Sequence, residues 1–289
     1  MVVFFGDIVK NVQFVDILKN NLEISRLYAI ILVSVIMRGV FMAKCAVILA
    51  GGEGKRMKSN KPKPMSEVLG KPMLQWVIDS VRGAGVNNIC VVKGFKKECI
   101  EEYVATLPYK VETVYQAERL GTGHAVMMAK DFLKENEGDV VILCGDAPFM
   151  DKDTIADAFA QHDKNNASAT VISAVLEDST GYGRIVRNDD GSLKAIVEQK
   201  EADEETLKIK EVNSGGYWFD TKDLLSVLDS ITADNAAAEY YLPDALKLLL
   251  ENGKTVGAFT ASSADTVLGA NDPEQLEELN QIAIKKGYK

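Results

Sequence analysis

Five consecutive apolar residues, Cys45 to Leu49, run straight into the glycine-rich stretch Gly51-Gly52-Glu53-Gly54. An unbroken apolar run of that length suits a central strand of a parallel sheet, buried on both faces. A glycine turn directly after it lets bare backbone amides approach a phosphate chain with no Cβ atoms in the way. Lys55, Arg56, Lys58, Lys61 and Lys63 crowd the same loop. The loop is neither of two familiar phosphate motifs. Met57 stands where a dinucleotide fingerprint needs its third glycine, Lys93 stands where it needs an acidic residue, and the Gly-Lys-Ser/Thr of a Walker loop is missing. A net charge of −9 argues against a nucleic-acid surface. It leaves room for small nucleotides, which need only local positive potential.

Beyond this strand, apolar runs and helix-like stretches alternate. Ile89-Val92, Val111-Tyr115 and Val140-Cys144 read as further strands. Helices are expected from Leu74, over Ile100 to Leu107, and over Thr122 to Leu133. This alternation predicts an α/β fold, a doubly wound and mostly parallel sheet, with ligands outside the carboxyl ends of its strands. The glycine loop, Gln116 and Asp146 each follow a strand, so all three are expected on one rim. After about residue 167 the pattern turns β-rich, with strands at 169–176, 185–187, 193–197 and 217–219. Glu239 to Leu250 reads as helical, and Asp272-Pro273 as the cap and first turn of a last helix.

Several residues carry chemistry in that frame. Lys63 lies between Pro62 and Pro64, a stiff setting for a cation held against phosphate. Asp146, at the end of a strand, suits Mg²⁺, which takes a few hard oxygens and completes its shell with water and substrate phosphate. Asn271 offers a second oxygen. Gln116 carries a donor and an acceptor that match the edge of a uracil. His124 and His162 are the only histidines, so histidine-based catalysis is not expected. In the β-rich half, polar residues beside glycines suit the hydroxyls of a sugar.

In this order the segments resemble the uridyltransferase half of the bacterial bifunctional N-acetylglucosamine-1-phosphate uridyltransferase/glucosamine-1-phosphate acetyltransferase. The resemblance runs from about Ala46 to Leu279 and rests on Leu49 to Met57 with Lys63, Gln116 to His124, Gly145-Asp146, Gly181 to Ile185, Glu198, Asn213, Glu239-Tyr240-Tyr241 and Gly269-Ala270-Asn271. It implies a nucleotide-diphospho-sugar transferase (Rossmann-like) fold with a β-rich sugar-binding half. It also implies that UTP and N-acetylglucosamine-1-phosphate react to give UDP-N-acetylglucosamine and pyrophosphate. The implied roles are Arg56 and Lys63 as catalytic cations, and Leu49, Ala50, Gly51, Gly52, Gln116, Gly121 and Thr122 around the nucleotide. Asp146 and Asn271 would bind Mg²⁺, while Gly183, Glu198, Asn213 and Tyr241 would hold the amino sugar. The family's β-helix half of hexapeptide repeats has no counterpart in this sequence, so acetyltransferase activity is not expected of it. Two other readings stay open: the same chemistry on another hexose-1-phosphate, and a non-catalytic nucleotide-sugar sensor.

The 289 residues, 47% of them hydrophobic, suffice for one large core. Residues 42–289 are expected to form the nucleotidyltransferase domain, with residues 1–41 an atypical extension. Its apolar run, Leu27 to Met37, is too short for a membrane span, which needs about 20 residues. An upstream start codon with Met42 as the biological start, a membrane-surface helix, and an extra packed helix all remain readings of it. The four cysteines have no metal-ligand spacing and read as reduced thiols of a cytoplasmic protein. Small-molecule substrates are the expected partners, with no nucleic acid, stable membrane insertion or partner protein implied.

Overall fold

The computed structural model describes residues 44–288, and the readings of residues 1–41 lie outside them. Along the chain come β1 (Lys44–Ala50), the short pair β2 (Glu67–Val68) and β3 (Lys71–Pro72), α1 (Met73–Gly83), β4 (Asn88–Lys93) and α2 (Lys97–Ala105). Next are β5 (Glu112–Tyr115), α3 (Thr122–Met128), α4 (Lys130–Glu135), β6 (Asp139–Cys144) and α5 (Lys152–Lys164). The second half holds β7 (Ala169–Val175), β8 (Arg184–Arg187), β9 (Leu193–Val197), α6 (Glu204–Leu207), β10 (Glu211–Asp220) and α7 (Thr221–Leu228). It closes with α8 (Pro243–Glu251), β11 (Val256–Thr260) and α9 (Pro273–Lys286).

One sheet runs in the order β11-β7-β10-β6-β1-β4-β5, with β8 and β9 attached through β10. β1 is parallel to both β4 and β6, and β4 is parallel to β5. β10 runs antiparallel to β6 and β7, which joins the parallel nucleotide half to the β-rich half. Alternate residues of β1 enter different cores. Cys45 and Val47 pack beneath α3, α4, α7 and α8. Ala46, Ile48 and Ala50 pack beneath α1, α2 and α5. Burial on both faces is why the strand carries no polar alternation; each buried Val or Ile contributes about 1.5–3 kcal/mol.

From β1 the chain builds outward through β4 and β5, then returns to place β6 on the other side of β1. The strand order therefore reverses beside β1, and a crevice opens at the carboxyl ends there. A third core, including Met57, Trp76, Phe149, Ala270 and Leu279, fastens α9 to the loop after β1. Among the described residues, no helix is long and apolar enough to cross a membrane.

Two expected helices differ. The stretch from Thr122 to Leu133 is broken at Ala129, whose N–H donates to Val126 O at 2.9 Å and closes α3 with a tight turn. The break lets Ala129, Phe132 and Leu133 all reach the core. Glu239 to Leu242 is not helical; α8 starts only at Pro243. The polar groups of Tyr240 are spent elsewhere, its N–H on Leu120 O and its carbonyl on the Gly123 N–H, each at 2.7 Å.

Candidate functional site

The loop after β1 is shaped by pairs of close backbone approaches. A Cβ on Gly51 would lie 2.7 Å from Gln116 Oε1, and one on Gly94 would lie 2.5 Å from Gly51 O. Only glycine at both positions lets the loops after β1 and β4 touch, and Phe95 N–H donates to Gly51 O at 3.1 Å. Gly52, by contrast, faces open space with nothing within 4 Å. The loop then tightens into a 3₁₀ turn, Lys55–Met57, whose Met57 is buried while Lys55 and Arg56 carry its positive charge.

Lys63 begins a second 3₁₀ turn, Lys63–Met65, set up by extended Pro62 before it and Pro64 within it. Its ammonium lies 2.5 Å from Asp146 Oδ2 and donates to Asn271 Oδ1 at 2.8 Å. Three chain segments thus meet at one charge. Asn271 is held in that orientation by Gln275 Oε1, which accepts from its backbone N–H at 2.8 Å and from Nδ2 at 3.0 Å. With the amide nitrogen so used, Oδ1 is left to face Lys63. Asp272 caps α9 through the Gln275 N–H at 2.9 Å, as the sequence predicts. Gly269 brings this segment against β6, since a Cβ there would lie 2.7 Å from Asp146 O.

The loop after β5 forms the opposite wall. Gln116 is 5% exposed and donates from Nε2 to Gly121 O at 3.0 Å, with His124 Nδ1 at 3.2 Å. Its amide nitrogen is therefore committed within the loop, which leaves Oε1 as its open polar atom. Gly121 has φ +110°, and a Cβ there would sit 2.5 Å from Tyr240 O. Thr122 Oγ1 accepts from the Leu242 N–H at 3.0 Å. Glu239-Tyr240-Tyr241 thus lies across the glycines of this loop.

These walls enclose a cavity of about 270 Å³ at the strand ends. Leu49, Gly51, Gly52, Gln116, Gly121 and Thr122 line it as the sequence suggests, together with Lys63 and Asp146. Ala50 does not; it is 1% exposed and packs into the core below. Arg56 is exposed and lies outside the lining. Arg119 and Cys144 line the cavity without having been given a site role from sequence, and so does Glu239, named there only as part of Glu239-Tyr240-Tyr241. Position was the available signal for each: Arg119 in the Gln116 loop, Cys144 at the end of β6, Glu239 beside two tyrosines. Burial, with the nearby Asp146 charge, pushes the Cys144 thiol up to about 12.

The expected sugar residues gather on the β-rich side. Asn213 N–H donates to Gly183 O at 2.9 Å, and Glu198 Oε1 lies 3.1 Å from where a Cβ on Gly183 would stand. Asn213 donates from Nδ2 to the Tyr217 hydroxyl at 2.7 Å and accepts from Gly215 N–H at 2.9 Å. That contact sits at a β-bulge in β10 between Asn213 and Gly216. Gly215 in turn meets Cys144, whose Sγ donates to its carbonyl at 3.7 Å. Glu198 is pushed up from the usual carboxylate range by burial, then by the charges of Glu201 and Asp244. The Tyr241 phenol is raised by burial and by Glu239 and Glu198, which places it in the field of the same acids.

The donor set around Lys63 suits a hard cation. Among the described residues there is no cluster of three His, Cys, Asp or Glu side chains able to hold a metal. Asp146 and Asn271 nevertheless bring one carboxylate and one amide oxygen to a common cation, and such a pair matches an ion that keeps most of its shell for water and phosphate.

Comparison with known proteins gives the same frame. A family model described as nucleotidyl transferase matches residues 45–266. The bifunctional protein GlmU of Acetivibrio thermocellus is 45% identical over 237 residues, covering 82% of this chain and 51% of that protein. GlmU of Clostridium beijerinckii is 46% identical over 241 residues, covering 83% of this chain and 52% of that protein. The chain therefore spans about half the length of the curated relatives it matches. A UDP-glucose pyrophosphorylase solved with UDP-glucose superposes with a TM-score of 0.70 at 20% identity, over 85% of this chain and 100% of that one. UDP-glucose pyrophosphorylase from Acinetobacter baumanii gives 0.68, also at 20% identity, over 86% of this chain and 95% of that one.

Proposed function

The chain belongs to the nucleotidyl transferase family, and from that premise we propose that it transfers a uridylyl group from UTP to N-acetylglucosamine-1-phosphate, releasing pyrophosphate. One observation carries the reading: three strand ends and the segment before α9 converge on a cavity with a glycine loop at one wall and Lys63, Asp146 and Asn271 at its edge. The GlmU relatives, about half of whose length this chain spans, support the choice of uridylyl and amino sugar.

The reaction asks little covalent chemistry of the protein. The sugar phosphate is already a nucleophile: one of its oxygens forms the new bond to the α-phosphorus as the bond from that phosphorus to the bridging oxygen breaks. Pyrophosphate leaves with the electron pair. Catalysis then consists of aligning two mutually repelling anions and screening their charge. Gly51 and Gly52 let the triphosphate lie close to the backbone, and Gln116 with Gly121 and Thr122 holds the uracil. Lys63 neutralises charge where the phosphates meet. Asp146 and Asn271 would hold Mg²⁺, which supplies further charge neutralisation when bound. Gly183, Glu198, Asn213 and Tyr241 orient the sugar hydroxyls. Arg56, exposed on the loop, would reach the phosphates only from outside the cavity. All four cysteines are free, which supports a reducing, cytoplasmic setting.

Pyrophosphate release in Mg²⁺ across a matrix of nucleoside triphosphates and sugar-1-phosphates tests the reading. Fastest release from UTP with N-acetylglucosamine-1-phosphate is the expected result. Preference for glucose-1-phosphate or another hexose phosphate would overturn the sugar assignment, and no release from any pair would favour a nucleotide-sugar sensor.

A further inference from the structure

The cavity is lined by two cations, Lys63 and Arg119, and two carboxylates, Asp146 and Glu239. Lys63 is already engaged by Asp146 at 2.5 Å and by Asn271 at 2.8 Å. The lining as it stands thus offers a polyphosphate little uncommitted positive charge. Of the two cations expected from the sequence, Lys63 is the one so engaged and Arg56 lies outside.

Arg119 is differently placed. Its Nη2 pairs with Glu53 Oε2 at 3.1 Å, and Glu53 follows directly on Gly52. The pair therefore ties the loop after β1 to the loop after β5, the two walls between which a nucleotide would enter. The Arg119 side chain is 42% exposed and that of Glu53 30%, so the pair is wet and weak. Lys55 approaches the same carboxylate at 3.9 Å, so two cations share Glu53. The guanidinium carbon of Arg119 also lies 5.7 Å from the centre of the Phe95 ring, and Phe95 is bonded to Gly51 O. Arg119 thus stands over the glycine loop, with a planar fork that fits phosphate oxygens two at a time.

We propose that Arg119 is a polyphosphate-binding residue of this cavity, and that Glu53 is its partner only until a nucleoside triphosphate replaces it. This rests on the nucleotide reading of the cavity. Exchanging a solvent-exposed carboxylate for a phosphate chain strengthens the contact, because the guanidinium then meets more than one anionic oxygen in a more enclosed place. The loss of Glu53 as a competitor should accordingly help the nucleotide, whereas the loss of Arg119 should harm it.

The opposite signs provide the test. UTP binding by the full chain is measured by calorimetry, and the KM for UTP by pyrophosphate release, for wild type, Glu53→Gln, Arg119→Gln and the double variant. The proposal expects Glu53→Gln to tighten UTP about threefold, the scale of an exposed ion pair. Arg119→Gln should weaken it about tenfold, the scale of a charge-assisted bond. The double variant should match Arg119→Gln, and neither single change should alter uridine affinity, which carries no phosphate. If Glu53→Gln weakens UTP as Arg119→Gln does, the pair is a structural brace and the proposal fails. It fails too if Glu53→Gln leaves UTP unchanged, or if uridine responds as UTP does. Wild type that binds no nucleoside triphosphate would overturn the underlying reading instead.

Discussion

Lys63 and Asn271 are 208 residues apart in the chain, yet the lysine ammonium donates to Asn271 Oδ1 across 2.8 Å. The same ammonium is 2.5 Å from Asp146 Oδ2. Two hard oxygens from distant segments thus share one cation at the edge of the cavity. The third core, which takes in Leu279 of α9 and Ala270 just before it, holds Asn271 there.

Lys63→Ala should cut pyrophosphate release by about 10²–10³, the scale of removing one charge-stabilising group aimed at a transition state. The fold should survive, because Asp146 keeps 28% of its side-chain surface exposed and water can replace the lost ammonium. Initial rates and a thermal melt of the same sample separate the two outcomes.

Two glycines should respond in opposite ways to alanine. At Gly121, φ +110° and a 2.5 Å approach to Tyr240 O make a side chain strained, so Gly121→Ala should lose about 1–3 kcal/mol of stability. At Gly52 nothing lies within 4 Å, so Gly52→Ala should fold within about 0.5 kcal/mol of wild type while weakening nucleotide binding. Urea unfolding and UTP titration of both variants check the pair.

Glu198 makes a prediction in pH. Burial raises its folded-state pKa above the unfolded value of about 4.3. The folded protein therefore holds this proton more tightly than the unfolded chain does. Its stabilising share is present at low pH and is lost as pH rises through the raised value. Glu198→Gln removes that loss, so its stability relative to wild type should improve as pH climbs through this range. Urea midpoints across a pH series measure the difference.

Thiol reactivity should single out one cysteine. Burial pushes Cys45, Cys90 and Cys144 up to about 12, so little thiolate exists at neutral pH. Cys99 is the remaining thiol and is half-buried, as is Cys144 at the cavity wall, whose raised value keeps it protonated. An aromatic disulfide reagent should give one fast equivalent with native protein, and Cys99→Ser should abolish it.

Much of the fold is legible in the chain because the central strands are buried on both faces. Val140 to Cys144 and Cys45 to Leu49 have no polar residue to confuse the period. The less regular elements were harder to read. The break at Ala129 leaves no mark, since alanine favours helix, and only the need to bury Phe132 and Leu133 imposes it. Glu239 to Leu242 has helical composition, but its backbone is recruited by Leu120 and Gly123, a contact from elsewhere in the sequence. α5, which has no counterpart among the expected helices, is capped by Asp151, whose carboxylate accepts from the Asp153 and Thr154 N–H groups. At the site, glycines and strand-end residues announce themselves because few residue types fit there. Ala50, expected beside the nucleotide, is instead turned into the core by strand alternation. Nothing in the sequence distinguishes Arg119 as a phosphate ligand, because the five cations of the other loop carry the glycine-loop signal.

The central claim is that Asp146, Asn271 and Lys63 form the charge-screening centre of the transfer. A Mg²⁺ titration of pyrophosphate release, run on wild type and Asp146→Asn at saturating UTP and sugar phosphate, tests it most directly. The account predicts a maximal rate at least about a hundredfold lower in Asp146→Asn, with half-saturation moved to higher Mg²⁺. A rate within twofold of wild type at the same Mg²⁺ midpoint would contradict it.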